Sequence, residues 1–163
     1  MLEAFGWVIV RTARDVYPKD EEPLEIPDNL DVLDEEFRAM DRRIWAELRS
    51  WLATNADFWF KWQFFEELNN ADGILQFCTS RNHRGGSSVW PLMSWIAKNG
   101  TGSYGLVYVQ DDEDGPGSRH EGRGQRDLTN VFRVWRILGG KVEEFDDPFL
   151  SPIVPLINPS FYA

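Results

Sequence analysis

Residues 130–145 read NVFRVWRILGGKVEEF, and this stretch decides the class of fold. The pair Gly139-Gly140 separates two runs that are rich in β-branched and aromatic residues. A two-residue Gly-Gly connection is typical of a β-hairpin, because glycine tolerates the positive φ angles of the tight turns that suit twisted strands. The sequence therefore predicts two antiparallel strands, at about 130–138 and from residue 141 to 145.

Four further strands are predicted on the N-terminal side of this hairpin. Residues 4–12 (AFGWVIVRT) and 104–110 (YGLVYVQ) have the β-branched and aromatic composition of buried strands. The stretch 58–68 (FWFKWQFFEEL) is ambiguous in length and pattern, but its alternating aromatic residues favour a strand. Residues 69–73 (NNADG) end in glycine and connect it to a return strand at 73–80.

Two helices are predicted between these strands. Residues 34–53 have a 3.6-residue apolar period, and the acids at 34–36 suit the positive end of a helix dipole. The apolar face is assigned to Phe37, Met40 or Asp41, Ile44, Leu48, and Trp51 with Leu52. A second helix is predicted at 88–98, with Ser88 as N-cap, Pro91 in the first turn and Asn99-Gly100 at the end.

The element order is therefore β-α-β-β-α-β-β-β, which predicts an α+β domain with two helices on one face of a mainly antiparallel sheet. The single domain would span 1–163. Within it we expect an acidic extended connection at 13–33, a flexible Gly- and Asp-rich loop at 111–127, and a Pro-rich tail at 146–163 packed over the domain. Of the tryptophans, Trp7, Trp51, Trp95 and Trp135 are expected in the core, and Trp59, Trp62 and Trp90 are expected to be partly exposed.

The charge of the chain is strongly negative and unevenly distributed. The formal net charge is −10, and ten acids but only one base, Lys19, lie between Asp15 and Glu36. Such a field repels nucleic acid and membrane surfaces and attracts a basic partner, unless the segment is merely a solubilising loop. The start Met1-Leu2-Glu3-Ala4 lacks the basic residues of a signal peptide, and Cys78 has no partner for a disulfide, so a cytoplasmic location is expected.

The sequence offers no catalytic or metal-binding pattern. His83, His120 and Cys78 do not have zinc-ligand spacing, and residues 111–115 (DDEDG) lack the alternating ligands and the final glutamate of an EF-hand loop. Residues 85–88 (GGSS) are explained more simply by a helix cap than by an anion site. We therefore expect no enzyme activity, no cofactor and no metal.

Several short segments, in their order and spacing, resemble the immunity protein 7 family of bacterial polymorphic toxin systems. They are Phe5-Gly6-Trp7, Asn82-His83-Arg84, Trp95-Ile96-Ala97 with residues 102–106 (GSYGL), residues 108–114 (YVQDDED), residues 132–135 (FRVW) and residues 146–152 (DDPFLSP). The similarity covers nearly the whole chain and is clearest from Gly73 to Pro155. The long acidic segment after the first strand and the long loop 115–127 depart from the family pattern.

The resemblance implies a cytoplasmic protein that binds the effector domain of a toxin encoded beside it and protects the producing cell. An acidic inhibitor suits a basic toxin, and toxins that act on nucleic acid are often basic because they hold phosphate. Two alternatives stay open. One is an enzyme that reverses a toxin's covalent modification through His83, and the other is an adaptor that binds proteins without inhibiting them.

The residues expected to contact the toxin form two acidic patches. The first is Asp111, Asp112, Glu113 and Asp114, and the second is Asp20, Glu21, Glu22 and Glu25. Either patch could instead be a solvated loop. The motif Asn82-His83-Arg84 is a second type of candidate, either part of the binding surface or a structural turn whose side chains bond to the backbone.

Overall fold

The computed structural model describes residues 1–12, 30–68, 72–115, 128–129 and 131–146. Its elements are β1 (Leu2–Val10), α1 (Leu30–Asn55), β2 (Phe60–Leu68), β3 (Asp72–Arg81), α2 (Val89–Asn99), β4 (Tyr104–Asp111), β5 (Arg133–Leu138) and β6 (Lys141–Asp146). This order confirms the prediction. The predicted connection 13–33 ended too late, because residues 30–33 belong to α1. The rest of that connection (13–29), most of the predicted loop (116–127) and the tail beyond residue 146 lie outside the described residues.

The strands form one six-stranded sheet in the order β2-β3-β1-β4-β5-β6. Every neighbouring pair is antiparallel, and β1 lies near the middle, paired with β3 on one side and with β4 on the other. The predicted α+β class with an antiparallel sheet is confirmed. The β5–β6 hairpin is also confirmed: Leu138 pairs with Lys141, and Gly139 and Gly140 have φ angles of 57° and 74°.

Both helices cover the same face of the sheet, as predicted. In α1 the indole of Trp45 packs against Phe64 of β2 with 6.0 Å between ring centroids, and its Nε1 donates to the carbonyl oxygen of Val10 at 2.7 Å. In α2 the ring of Trp90 packs edge-on against Trp135 of β5, at 6.3 Å. Since these partners come from opposite halves of the sheet, the two helices divide one hydrophobic core between them.

The inner stripe of α1 contains one residue that the prediction omitted, and it selects Asp41 from the two alternatives Met40 or Asp41. Trp45, which the predicted stripe omitted, is only 2% exposed, whereas Met40 is 49% exposed. Asp41 takes the inner position instead: its Oδ1 accepts hydrogen bonds from the backbone N–H and the hydroxyl of Thr12 at 2.7 and 2.9 Å. A buried carboxylate is tolerated here because it accepts hydrogen bonds from the end of β1.

The face of the sheet opposite the helices is here called the open face. Trp7, predicted in the core, lies there with 40% of its surface exposed, because side chains of β1 alternate and Val8 takes the inward position. Phe5 lies on the same face and stacks on Tyr108 with ring centroids 4.9 Å apart. The core assignment of Trp7 was therefore wrong, while Trp135 is buried as predicted.

Ser88 precedes α2 as predicted, but its hydroxyl does not cap the helix. It accepts a hydrogen bond from the backbone N–H of Asp57 at 2.8 Å, and the Ser88 N–H donates to Asp57 Oδ2 at 3.0 Å. Partial burial alone would raise the pKa of Asp57, but the hydrogen bonds from Ser88 and Trp59 and the charge of Arg81 outweigh it and leave this pKa lowered. The hydrogen bonds between Asp57 and Ser88 connect the turn after α1 to the start of α2.

We expect Asp57→Asn to lower the free energy of unfolding at pH 7 by about 1–3 kcal/mol, since a charged acceptor of buried hydrogen bonds is lost. A carboxyl whose pKa is lowered by folding stabilises the fold above its unfolded pKa. That contribution is lost as the pH falls through the folded pKa. Urea titrations should therefore show the deficit of the variant shrinking below about pH 4. A deficit that is constant between pH 7 and low pH would contradict this role of the charge.

Gly105 of β4 is required by the close approach of β1. A Cβ atom at this position would lie 2.2 Å from the carbonyl oxygen of Trp7 and 2.6 Å from the Cα of Val8. Gly105→Ala should therefore destabilise the domain by at least about 2 kcal/mol, measured by urea denaturation, because backbone has to move. Gly85→Ala is the matched control, since no atom lies within 4 Å of its added Cβ. Equal effects of the two substitutions would contradict the packing argument.

Candidate functional site

Two turns meet at one end of the sheet and form what we call the acidic corner. One turn follows β3 and the other follows β4, and both lie beside the start of β1, because Leu2 pairs with Arg81 on one side and with Asp111 on the other. The corner consists of Asn82, His83, Arg84, Asp111, Asp112, Glu113 and Asp114. The sequence motif 82–84 and the first acidic patch are thus brought together by the topology of the sheet.

Two of the four acids in this patch are interior residues. Asp111 and Asp114 are 0% and 1% exposed. Arg84 Nη1 lies 3.2 Å from Asp111 Oδ2, and Arg133 Nη1 lies 2.6 Å from Asp114 Oδ2. Side chains with no accessible surface cannot touch a partner while this packing persists. The corner therefore offers a partner only its other two acids, Asp112 and Glu113.

Burial raises the pKa of Asp111 above its usual value, against the opposing effects of the Glu113 backbone N–H and the charge of Arg84. Asp111 Oδ1 accepts the Glu113 N–H at 3.0 Å, and the Asp114 N–H donates to the Asp111 carbonyl oxygen at 3.2 Å. Asp111 thus shapes the tight turn in which it lies, as aspartate commonly does at the first position of a turn. Its contacts indicate a structural part in the corner.

Asp112 and Glu113 are exposed at the surface of this turn. Asp112 forms an ion pair with the N-terminal ammonium of Met1, and about half of its side chain stays accessible. Glu113 Oε1 lies 2.9 Å from His83 Nδ1, and its Oε2 accepts the backbone N–H of Arg84 at 3.1 Å. The contact with His83 and then that with Arg84 hold the pKa of Glu113 below its usual value. The carboxylate is therefore charged at neutral pH.

The motif Asn82-His83-Arg84 divides between the interior and the surface. The guanidinium of Arg84 lies between Asp111 and the ring of Trp90, 4.9 Å from the ring centroid. His83, in contrast, has 83% of its side chain exposed. These side-chain contacts give Arg84 a structural role in the turn, whereas His83 and Asn82 lie at the surface.

The second predicted patch, Asp20, Glu21, Glu22 and Glu25, lies outside the described residues.

Three aromatic side chains form another accessible region. Phe58, Trp59 and Trp62 are 78%, 54% and 37% exposed, and they lie just before and within the edge strand β2. The sequence indicated exposure of Trp59 and Trp62 but not of Phe58. Exposed aromatic residues are frequent energetic centres of protein interfaces.

Within the described part of the chain, no group of three or more His, Cys, Asp and Glu side chains is arranged to hold a metal ion. Across the same residues, no helix is both long and apolar enough to span a bilayer.

The family model described as immunity protein 7 matches residues 1–159. The chain belongs to the immunity protein 7 family. Neither the curated proteins nor the solved structures include a match to it. The resemblance expected from the ordered motifs is therefore confirmed, and this immunity protein presents the acidic corner and the aromatic group at β2 as its candidate contact regions.

Removing Arg133 should leave Asp114 and Glu144 without the guanidinium that lies between them, at 2.6 and 3.1 Å. Breaking a buried ion pair from one side costs about 3–5 kcal/mol, so Arg133→Met should destabilise the domain by roughly that amount in urea titrations. His83→Asn is the control at the exposed side of the same corner and should change stability by less than about 0.5 kcal/mol. A small effect of Arg133→Met would contradict the structural role of the buried pairs.

Proposed function

We propose that this immunity protein binds the effector domain of a cognate toxin and neutralises it by non-covalent occlusion. The single observation that carries the proposal is the match of the immunity protein 7 family to residues 1–159. The net charge of −10 supports a basic target, because oppositely charged surfaces accelerate encounter and favour the correct partner. A toxin that acts on nucleic acid would have such a surface.

Within the acidic corner, the proposed contacts are Asp112 and Glu113, with His83 beside them. The two carboxylates are accessible, and they are attached to a turn that the buried Asp111 and Asp114 hold in place. A rigid turn loses little conformational entropy when a partner binds. The acids Asp20, Glu21, Glu22 and Glu25 remain a second proposed contact, on the strength of their charge alone.

The experiment is binding of the adjacent gene's toxin domain to a charge-reversed corner. Asp112→Lys with Glu113→Lys should weaken affinity about tenfold or more at low salt, mostly through slower association, and the deficit should shrink at high salt. The control is Glu47→Lys with Glu66→Lys, which changes the net charge equally at two exposed acids of α1 and β2. Equal losses in both variants would contradict a specific contact at the corner.

The second acidic patch is tested by the same comparison of a charge-reversed variant with a control of equal net charge. Reversal of Asp20, Glu21, Glu22 and Glu25 to Lys should weaken toxin binding beyond what the change in net charge alone produces. The control carries the same number of reversals at exposed acids elsewhere: Glu35, Glu47, Glu66 and Glu143. If both variants bind equally, the second patch makes no specific contact.

Stoichiometry distinguishes occlusion from enzymatic reversal of toxin damage. An occluding inhibitor protects only when it is at least equimolar with the toxin, so a titration in a toxin activity assay should end at one equivalent. Protection by trace amounts, abolished by His83→Ala, would instead favour an enzyme. His83 is the relevant residue because it is exposed and lies 2.9 Å from the Glu113 carboxylate. An adaptor, in contrast, would bind the toxin without lowering its activity.

A further inference from the structure

The open face of the sheet carries several half-exposed apolar side chains in the described part of the chain. Its strand register places Phe5 between Cys78 and Tyr108, and Trp7 between Gln76 and Leu106. On β5 and β6 the same face carries Val134, Leu138 and Phe145. Phe5 and Leu138 are both 49% exposed, Phe145 is 43% exposed and Trp7 is 40% exposed. Apolar patches of this kind on a folded domain usually mark a surface that another segment or protein covers.

The charges on the open face do not suit a basic toxin. Among the strand side chains that the structure describes, this register places three cations there, Lys61, Arg136 and Lys141, against two acids, Glu3 and Glu143. One of these acids is already paired, since Arg136 Nη2 lies 2.7 Å from Glu143 Oε2. The face thus lacks the negative surplus of the whole chain, and its natural occupant is apolar and nearly uncharged.

The segment 147–163 has this chemistry. It reads DPFLSPIVPLINPSFYA, in which Asp147 is the only charged side chain. Its large apolar and aromatic residues are Phe149, Leu150, Ile153, Val154, Leu156, Ile157, Phe161 and Tyr162. Four prolines interrupt it, at 148, 152, 155 and 159, so the segment is unsuited to extend the sheet as a regular strand. A segment of this composition can bury apolar side chains on a surface without donating regular ladder hydrogen bonds.

The position of this segment in the chain and its length also fit the open face. The segment begins directly after β6, whose last described side chain, Phe145, lies on the open face. An extended Pro-rich chain of 17 residues covers about 50 Å, whereas six strands about 4.8 Å apart span only about 24 Å. The family model extends to residue 159, which includes most of this segment in the same family domain as the sheet.

From these observations we propose that residues 147–163 pack across the open face and cover Phe5, Trp7 and their neighbours. The sheet then lies between two layers, the helices on one side and the chain's own C-terminal segment on the other.

Cys78 supplies the probe for a direct test in the full chain. It is the only cysteine, it is exposed, and it lies beside Phe5 on the open face. A nitroxide label on Cys78 should strongly broaden the methyl signals of Ile153, Val154, Leu156 and Ile157 in a methyl-labelled NMR sample. The control label is placed on the helix side of the sheet, with Cys78→Ser and Ser94→Cys, at an exposed position of α2. It should leave those signals sharper.

Two outcomes of the labelling experiment would overturn the proposal. One is equal methyl intensities for the two label positions. The other is broadening that occurs only when labelled and isotope-enriched molecules are different chains, which would assign the face to a second copy. A variant pair completes the test: Trp7→Ser should reduce the broadening, whereas Trp62→Ser, a tryptophan of similar exposure on the opposite face, should not. Equal effects of the two variants would also overturn the proposal, and no step of the test requires the toxin.

Discussion

Two arginines pair with two buried aspartates at one end of the sheet, and the acidic corner depends on these pairs. Arg84 follows β3, Arg133 begins β5, and their partners Asp111 and Asp114 surround the turn after β4. Charges removed from water are tolerated only when each has an opposite partner in good geometry. Three separate parts of the chain must therefore meet in one register before these charges can be buried.

The order and class of the elements could be predicted from sequence because each depended on local signals. The glycine pair at 139–140 and the period of α1 are properties of neighbouring residues, and the structure confirms both. Side-chain direction within a strand was harder to predict. Trp7 was assigned to the core by residue type, whereas the alternation of β1 and the position of the helices place it on the open face.

In the candidate site, too, local sequence predicts some features, whereas others depend on residues that are distant in the chain. Four consecutive charged residues at 111–114 look alike in the sequence, and an exposed loop is the simplest interpretation of such a run. Two of them are buried because arginines from distant positions reach them, and no local pattern in the sequence specifies that pairing. Phe58 was missed as an exposed residue because it precedes the edge strand β2, outside the alternation on which the prediction relied.

The separation of buried and exposed residues at the acidic corner has a consequence for how such proteins can diversify. Replacements at Asn82, His83, Asp112 or Glu113 alter a surface and leave the interior pairs intact. These side chains can therefore be exchanged one at a time without removing a partner of the buried charges. Arg84, Arg133 and their partners would have to change together, because each buried charge needs its opposite.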